Sequence, residues 1–239
     1  MYTNSSGVMT VSSGSLALGS TASVGYWGKG SLHVNGGAVT LAGALLVGSG
    51  SAATGTMTVS GGSLVASTAT LGHYGTGSMY LTGGNAAFTG AVNVGVRTGK
   101  GYLGISNATD NVSIGQTLSV GANGTLEVFA DLSLADASSP IFNAGALSLD
   151  VLGGYAVTLD NLGAVSVDTQ VWIAEVASDV DQSVKDIVWQ LNGLMEGYEA
   201  NFEWIGNNLF LTVTPVPEPA LSAALLALLS LALAVRRRK

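Results

Sequence analysis

The side chains that could carry out chemistry are few and unevenly distributed along the 239 residues of the chain. There is no cysteine, and the two histidines, His33 and His73, have no further histidine or cysteine to complete a metal site. Polysaccharide lyases and hydrolases need paired carboxylates, or a carboxylate beside Lys or Arg, yet residues 1 to 109 contain no acidic residue. We therefore expect a non-enzymatic protein with no catalytic residues, no metal and no cofactor.

Aromatic side chains indicate a different chemistry, the binding of sugars. Tyr26 and Trp27, His73 and Tyr74, and Arg97 occur at the same point of successive sequence blocks, which are described below. Aromatic rings with polar tips suit the faces of sugar rings. Aromatic residues are common in loops and these do not recur in every block, so carbohydrate binding stays an alternative interpretation. Its candidate contacts are Tyr26, Trp27, His73 and Tyr74.

Acidic and basic residues are concentrated in different parts of the sequence. The formal net charge is −7, and residues 110 to 203 contain 14 of the 15 acidic residues. The last four residues, Arg236, Arg237, Arg238 and Lys239, are all basic. A nucleic-acid-binding protein needs a clustered basic face to neutralise phosphates, and the predicted folded part offers none. We therefore expect no nucleic-acid partner.

The first half of the chain repeats itself every 22 to 25 residues. When the blocks are aligned on a glycine, the positions two and four residues later are apolar in every block, and the position between them is polar or variable. This alternation is typical of a strand with one buried face. The aligned glycines are Gly7, Gly30, Gly55, Gly77, Gly101 and Gly124; the apolar residues are Met9 and Val11, Leu32 and Val34, Met57 and Val59, Met79 and Leu81, Leu103 and Ile105, and Leu126 and Val128.

Two further alternating stretches, separated by glycine-containing corners such as Gly61-Gly62, complete a block of three short strands. An antiparallel sandwich has no reason to place the same residue class at the same offset in each block. In a solenoid, equivalent positions stack directly on one another. We therefore predict an all-β fold, with a parallel β-solenoid of about 23 residues per three-strand rung over residues 1–167.

The pattern changes after residue 167. One face of a helical period contains Val184, Ile187, Val188, Leu191 and Met195, which predicts a helix from Asp181 to Leu194. Residues 198 to 213, with Gly206-Asn207-Asn208 between two strand-like stretches, predict a hairpin. Because the last rung of a solenoid presents an open edge and an exposed core, we interpret residues 168–214 as a small α+β cap.

Residues 215–239 form a third, separate segment. A proline-rich stretch precedes 16 uncharged, mostly apolar residues, 220–235, and the basic cluster follows. A helix of 16 residues spans about 24 Å, which is short of the ~30 Å hydrocarbon core but able to cross it by local thinning. The positive-inside rule then places the basic cluster in the cytoplasm and the rest of the chain outside. A buried core helix is the alternative interpretation.

Val216, Pro217, Glu218 and Pro219, followed by a short apolar helix and an arginine cluster, resemble the PEP-CTERM sorting signal, a segment also labelled an ice-binding protein C-terminal domain. The resemblance implies export, a single-pass inner-membrane anchor and processing by an exosortase in an exopolysaccharide-producing bacterium. It implies no ice binding. The column Thr10, His33, Thr58 and Tyr80 is also too irregular for an ice-binding ladder.

The stretch Gly55-Thr56-Met57-Thr58-Val59-Ser60-Gly61-Gly62-Ser63-Leu64 resembles the strand repeat that autotransporter passengers share with PEP-CTERM proteins. That resemblance implies a fold and a surface location, and no chemistry. PEP-CTERM proteins carry an amino-terminal signal peptide, whereas residues 1–6 have neither a basic region nor an apolar stretch. We therefore expect the chain to be truncated at its amino terminus, with further rungs and a signal upstream.

Together these features predict a secreted structural protein of the cell surface or extracellular matrix, anchored at the inner membrane by its tail and sorted by an exosortase. The alternative is an adhesin that binds exopolysaccharide through the aromatic residues named above.

Overall fold

A computed structural model of the chain describes residues 5–109, 111–135 and 137–216. These residues are almost entirely extended, and their strands join into one hydrogen-bonded sheet that winds around itself. The strands up to residue 106 are β1 (Ser6–Val11), β2 (Ser15–Leu18), β3 (Ala22–Val24), β4 (Lys29–Val47), β5 (Thr54–Leu71), β6 (Thr76–Phe88), β7 (Val92–Val94) and β8 (Lys100–Ser106). Those that follow are β9 (Asn111–Val120), β10 (Gly124–Asp131), β11 (Phe142–Leu149), β12 (Gly154–Asp160), β13 (Thr169–Val176), β14 (Gln190–Asn192), β15 (Tyr198–Ile205) and β16 (Asn208–Pro215).

The repeat predicted from the sequence is the repeat of the fold. All pairings from β1 to β12 are parallel, and the aligned glycines lie directly beside one another in adjacent rungs. The prediction of a parallel β-solenoid is therefore confirmed. The paired glycines are Gly7 and Gly30, Gly30 and Gly55, Gly55 and Gly77, Gly77 and Gly101, and Gly101 and Gly124.

The corners are smoother than the three separate strands per rung that the sequence suggests. In the middle rungs, β4 and β5 run through their corners for 19 and 18 residues and pair with each other along most of that length. The ladder only shifts register at the corners, for example between Asn35 and Ala38. A shift of this kind bends a strand without ending it, as a bulge does.

Apolar columns from all three strand directions fill the interior. Met57, Val59, Met79 and Leu81 are completely buried. One corner needs glycine for two reasons. Gly48 has a φ of +68°, and a Cβ there would lie 2.0 Å from the carbonyl oxygen of Thr76 in the next rung. Rungs can therefore approach each other at this corner only without a side chain.

The far end of the solenoid is covered by an antiparallel hairpin. β15 pairs with β16, and β16 pairs antiparallel with β13, which itself pairs parallel with β11. β16 continues through Pro215, and the backbone N–H of Val216 donates to the carbonyl of Gly197 at 2.8 Å. The hairpin predicted over residues 198–213 is therefore present, and its strands are slightly longer than expected.

The helix predicted from Asp181 to Leu194 is wrong, so the cap is mostly β structure and not α+β. One helical turn, α1 (Gln182–Lys185), is followed by β14, which pairs parallel with β12. Val188, expected on the buried helical face, is 86% exposed, whereas Trp189 is buried. Apolar residues at Ile187, Trp189 and Leu191 alternate, so this stretch is compatible with a strand as well as with a helix. The strand forms because the edge of β12 offers it backbone hydrogen bonds.

The predicted membrane helix over residues 220–235 lies outside the described residues, as do Pro217, Glu218, Pro219 and the basic cluster. Within the described ranges, no helix has the length and apolar character needed to cross a membrane.

Candidate functional site

The predicted sugar contacts lie in a stack of corner loops, which connect the third strand of one rung to the first strand of the next. We define these corner loops as residues 25–28, 48–53, 72–75 and 95–99. Backbone hydrogen bonds join each to its neighbour: Ser49 donates to Gly25 at 3.1 Å, His73 to Gly48 at 3.3 Å, and Gly99 to His73 at 3.2 Å. The solenoid therefore brings residues about 24 positions apart onto one edge, as the repeat predicts.

In the first corner loop, Tyr26 and Trp27 are 54% and 58% exposed. Their ring centroids are 5.1 Å apart and their planes are nearly perpendicular, at 84°. Gly50 of the second loop lies against this pair, since a Cβ on Gly50 would be 3.3 Å from Cε3 of Trp27. The absence of a side chain at residue 50 therefore gives the indole room to lie over the neighbouring loop.

In the third and fourth corner loops, His73, Tyr74 and Arg97 form one connected group. The His73 and Tyr74 rings are 4.4 Å apart, and the Arg97 guanidinium carbon lies 5.5 Å from the Tyr74 ring centroid. Nε of Arg97 donates to Nε2 of His73 at 2.9 Å. Arg97 has a φ of +54°, and Asn123 donates to its carbonyl oxygen at 3.1 Å. The group is therefore fixed from both sides.

The two aromatic groups are separated by the second loop, where Ser51 and Ala52 are exposed and small. Two rung steps correspond to about 10 Å. The structure thus places the predicted contacts on one edge, but as two patches and not as one continuous ring surface. Such patches can stack on sugar faces, and Arg97 adds a donor.

The other residues considered for chemistry remain dispersed. His33 lies in the first part of β4, paired with Thr10 and Thr58, whereas His73 lies in a corner loop. In residues 5–109, 111–135 and 137–216, no three His, Asp or Glu side chains are arranged to hold a metal ion.

A second cluster, which the sequence analysis missed, lies on the outer surface of the first strand direction. We call it the tyrosine cluster and define it as Tyr80, Tyr102, Gly104, Glu127 and Phe129. The Tyr80 and Tyr102 rings are 5.1 Å apart, and the hydroxyl of Tyr102 donates to Oε2 of Glu127 at 2.7 Å. The hydroxyl of Thr158, one rung further on, donates to Oε1 of Glu127 at 2.5 Å.

Burial raises the pKa of Tyr102 well above its usual range, and the hydrogen bond to Glu127 and the charge of that carboxylate raise it further. The hydroxyl therefore stays protonated and keeps donating to Glu127 at every ordinary pH. The sequence contains a signal for part of this cluster. The column between the two apolar columns contains Tyr80, Gly104 and Glu127 in succession, but it was interpreted only as polar or variable.

Comparison with known proteins adds no relative to this description: no family model, no curated protein and no solved structure matches the chain.

Proposed function

We propose that this protein is a non-enzymatic structural component of the cell surface or extracellular matrix, exported as a rod. The observation that supports this proposal best is the parallel register that runs from β1 to β12. A stack in which each rung contacts its neighbours makes a stiff spacer, and it needs no catalytic group.

The sorting part of the proposal depends on the carboxyl-terminal sequence. Pro217-Glu218-Pro219, the predicted membrane helix 220–235 and the basic cluster 236–239 resemble the three parts of the PEP-CTERM signal, in the same order. In this proposal the tail anchors the chain in the inner membrane until an exosortase processes it, and the solenoid is then released to the surface or matrix.

The test is to fractionate producing cells with and without the exosortase and to measure the mass of the full chain in each fraction. We expect a shortened chain outside the inner membrane only when the enzyme is present. Replacing residues 217–219 together by alanine should leave the chain intact and membrane-bound, because the recognised tripeptide is lost.

A matched triple alanine change at residues 194–196, which are exposed and also include one glutamate, should leave processing unchanged. An intact tail in both strains would refute the sorting proposal.

The second candidate function is carbohydrate binding by the corner loops. It is favoured by the ordered contacts among His73, Tyr74 and Arg97, and by the two exposed rings of Tyr26 and Trp27. Exposed aromatic rings bound to a rigid backbone lose little conformational entropy when they stack on a ligand.

Its test is retention of the protein on the exopolysaccharide of the producing cell. The double variant Trp27→Ala and Tyr74→Ala should lose retention, because each patch loses its most exposed ring face. The control Leu152→Ala removes an apolar side chain that is 76% exposed and lies in a different loop. Equal retention of the double variant and the wild type would exclude the corner loops as the binding site.

A further inference from the structure

The tyrosine cluster groups aromatic rings and a carboxylate on the outer face of the sheet. Gly104 lies between Tyr80 and Glu127 in the same outward column. A Cβ on Gly104 would lie 3.0 Å from Cε1 of Tyr102 and 3.0 Å from Cε2 of Phe129. Both rings therefore lie beside the glycine, and Tyr80 contacts Tyr102, so the three rings form an aromatic floor on the outer face of the sheet.

The charge of this site is negative. The Glu127 carboxylate accepts hydrogen bonds from two neutral hydroxyls, those of Tyr102 and Thr158, and within the described residues it has no basic partner. The surrounding sequence reinforces this, because residues 110 to 203 contain 14 acidic residues and a single basic one, Lys185. The faces of the aromatic rings are themselves the negative ends of their quadrupoles.

A carboxylate without a cation, placed beside ring faces, is complementary to a positively charged group. Hydroxyl and amide groups lie at the far edge of the site, where Nδ2 of Asn192 donates to Oγ1 of Thr158 at 3.3 Å. A ligand that combines a cation, an apolar ring face and hydroxyl groups would use all three features. An amino sugar is such a ligand.

We propose that the tyrosine cluster binds hexosamine units that carry a free ammonium group, with the sugar ring stacked on the aromatic floor and the ammonium group at Glu127. The site is on a strand face and is separate from the corner loops, so this inference goes beyond the proposed function and does not depend on Trp27 or Tyr74.

The experiment is calorimetric titration of the full chain with a hexamer of β-1,4-linked glucosamine and with its fully N-acetylated counterpart. Acetylation removes the charge and keeps the sugar backbone, so we expect at least about tenfold weaker binding of the acetylated hexamer. Glu127→Gln should weaken binding of the glucosamine hexamer by a similar factor, since the amide keeps the size of the side chain and loses its charge.

Two control variants locate the effect. Glu199→Gln makes the same charge change at an exposed residue of β15 and should bind like the wild type. The double variant Trp27→Ala and Tyr74→Ala should also bind this hexamer normally. Circular dichroism and the melting temperature should show that each variant is folded.

Four outcomes would each overturn the inference without reference to the corner loops. These are no binding by the folded wild type, equal binding of both hexamers, an equal loss in Glu199→Gln, and binding of a hexalysine peptide as tight as that of the sugar. The last would mean that the site recognises ammonium groups without the sugar. If binding is lost in the corner-loop variant and kept in Glu127→Gln, carbohydrate binding stands and this site is refuted.

Discussion

The two ends of the solenoid differ in how their last strands are covered. Within the described residues, β1, β2 and β3 pair on one side only, with β4, and Met9, in an inward-facing column, is 46% exposed. At the other end, β16 covers the edge of β13, and Leu209 and Leu211 are almost fully buried. Val11 of β1 is nevertheless buried, so the difference indicates that an inward-facing residue in this fold gains part, and not all, of its burial from the rung on its open side.

The largest effect that tests this comparison comes from two glycines in the same column. Gly14 and Gly62 have nearly equal φ values, +72° and +71°, but a Cβ on Gly14 meets nothing within 4 Å, whereas one on Gly62 would lie 2.1 Å from the carbonyl oxygen of Gly37. Both alanine variants carry the backbone cost of a positive φ, about 1 kcal/mol, and Gly62→Ala adds a clash with a fixed backbone, for a total of about 3 kcal/mol or more.

Urea unfolding followed by circular dichroism measures both changes in the free energy of unfolding. Equal losses in the two variants would contradict the idea that neighbouring rungs set the cost.

The second test uses two methionines in one apolar column. Met79 is completely buried between rungs, and Met9, at the open end, is 46% exposed. Met79→Ala removes contacts on both sides and should lower the free energy of unfolding by about 2–5 kcal/mol, whereas Met9→Ala should cost less than about 1 kcal/mol. Chemical denaturation of the two variants, made in the same background, gives the difference directly. A cost for Met9→Ala that approached that of Met79→Ala would mean that the open end is covered in solution.

The stack was predictable because its signal is repeated. Six glycines at nearly equal spacing, each followed by two apolar residues, define the register from the residues alone, and every one of those glycine pairings is found. No single block would have sufficed, because apolar alternation over a few residues does not distinguish a parallel from an antiparallel neighbour.

The cap was less predictable because it occurs once. Between Val184 and Met195, apolar residues satisfy a period of 3.6 and a period of two at the same time, and the tertiary contact that decides between them, the free edge of β12, is not visible in the local sequence. The tyrosine cluster was missed for a related reason. Tyr102 and Phe129 belong to outward columns on either side of Gly104, and only the lateral spacing of the sheet brings them together.

The third test concerns the covered end and two tryptophans. The indole N–H of Trp172 donates to the carbonyl of Ala174 at 3.0 Å, whereas the buried indole N–H of Trp189 finds no partner among the described residues. Phenylalanine at either position removes ring volume. Trp172→Phe also loses a hydrogen bond, whereas Trp189→Phe removes a buried donor that has no acceptor among the described residues.

We therefore expect Trp172→Phe to be less stable than Trp189→Phe by about 1–2 kcal/mol, measured by thermal and urea unfolding. The reverse order would show that the Trp189 N–H is satisfied in solution, and that the cap packs less tightly there than the structure indicates.

The smallest effect is a pH dependence at the same end. Tyr155 packs on Trp189 with ring centroids 5.7 Å apart, and burial together with the charge of Asp150 raises the pKa of Tyr155 from 10.0 to about 12. In the unfolded chain this tyrosine loses its proton near pH 10, while in the folded chain it keeps it, so the unfolded state is increasingly favoured as the pH rises from about 10 to 12. The stabilising contribution is complete below pH 10 and declines above it.

Tyr155→Phe should therefore make the free energy of unfolding decline less steeply between pH 10 and 12. At neutral pH the variant loses the 2.7 Å hydrogen bond that the Tyr155 hydroxyl donates to the carbonyl of Asp150. The slope should not vanish, because burial raises the pKa of Tyr102 as well. Tyr102→Phe is the matched variant in the stacked region, and the double variant should flatten the profile further than either change alone. A single variant at Tyr155 with the wild-type slope would mean that this hydroxyl is open to water, and that the covered end is as accessible as the open one.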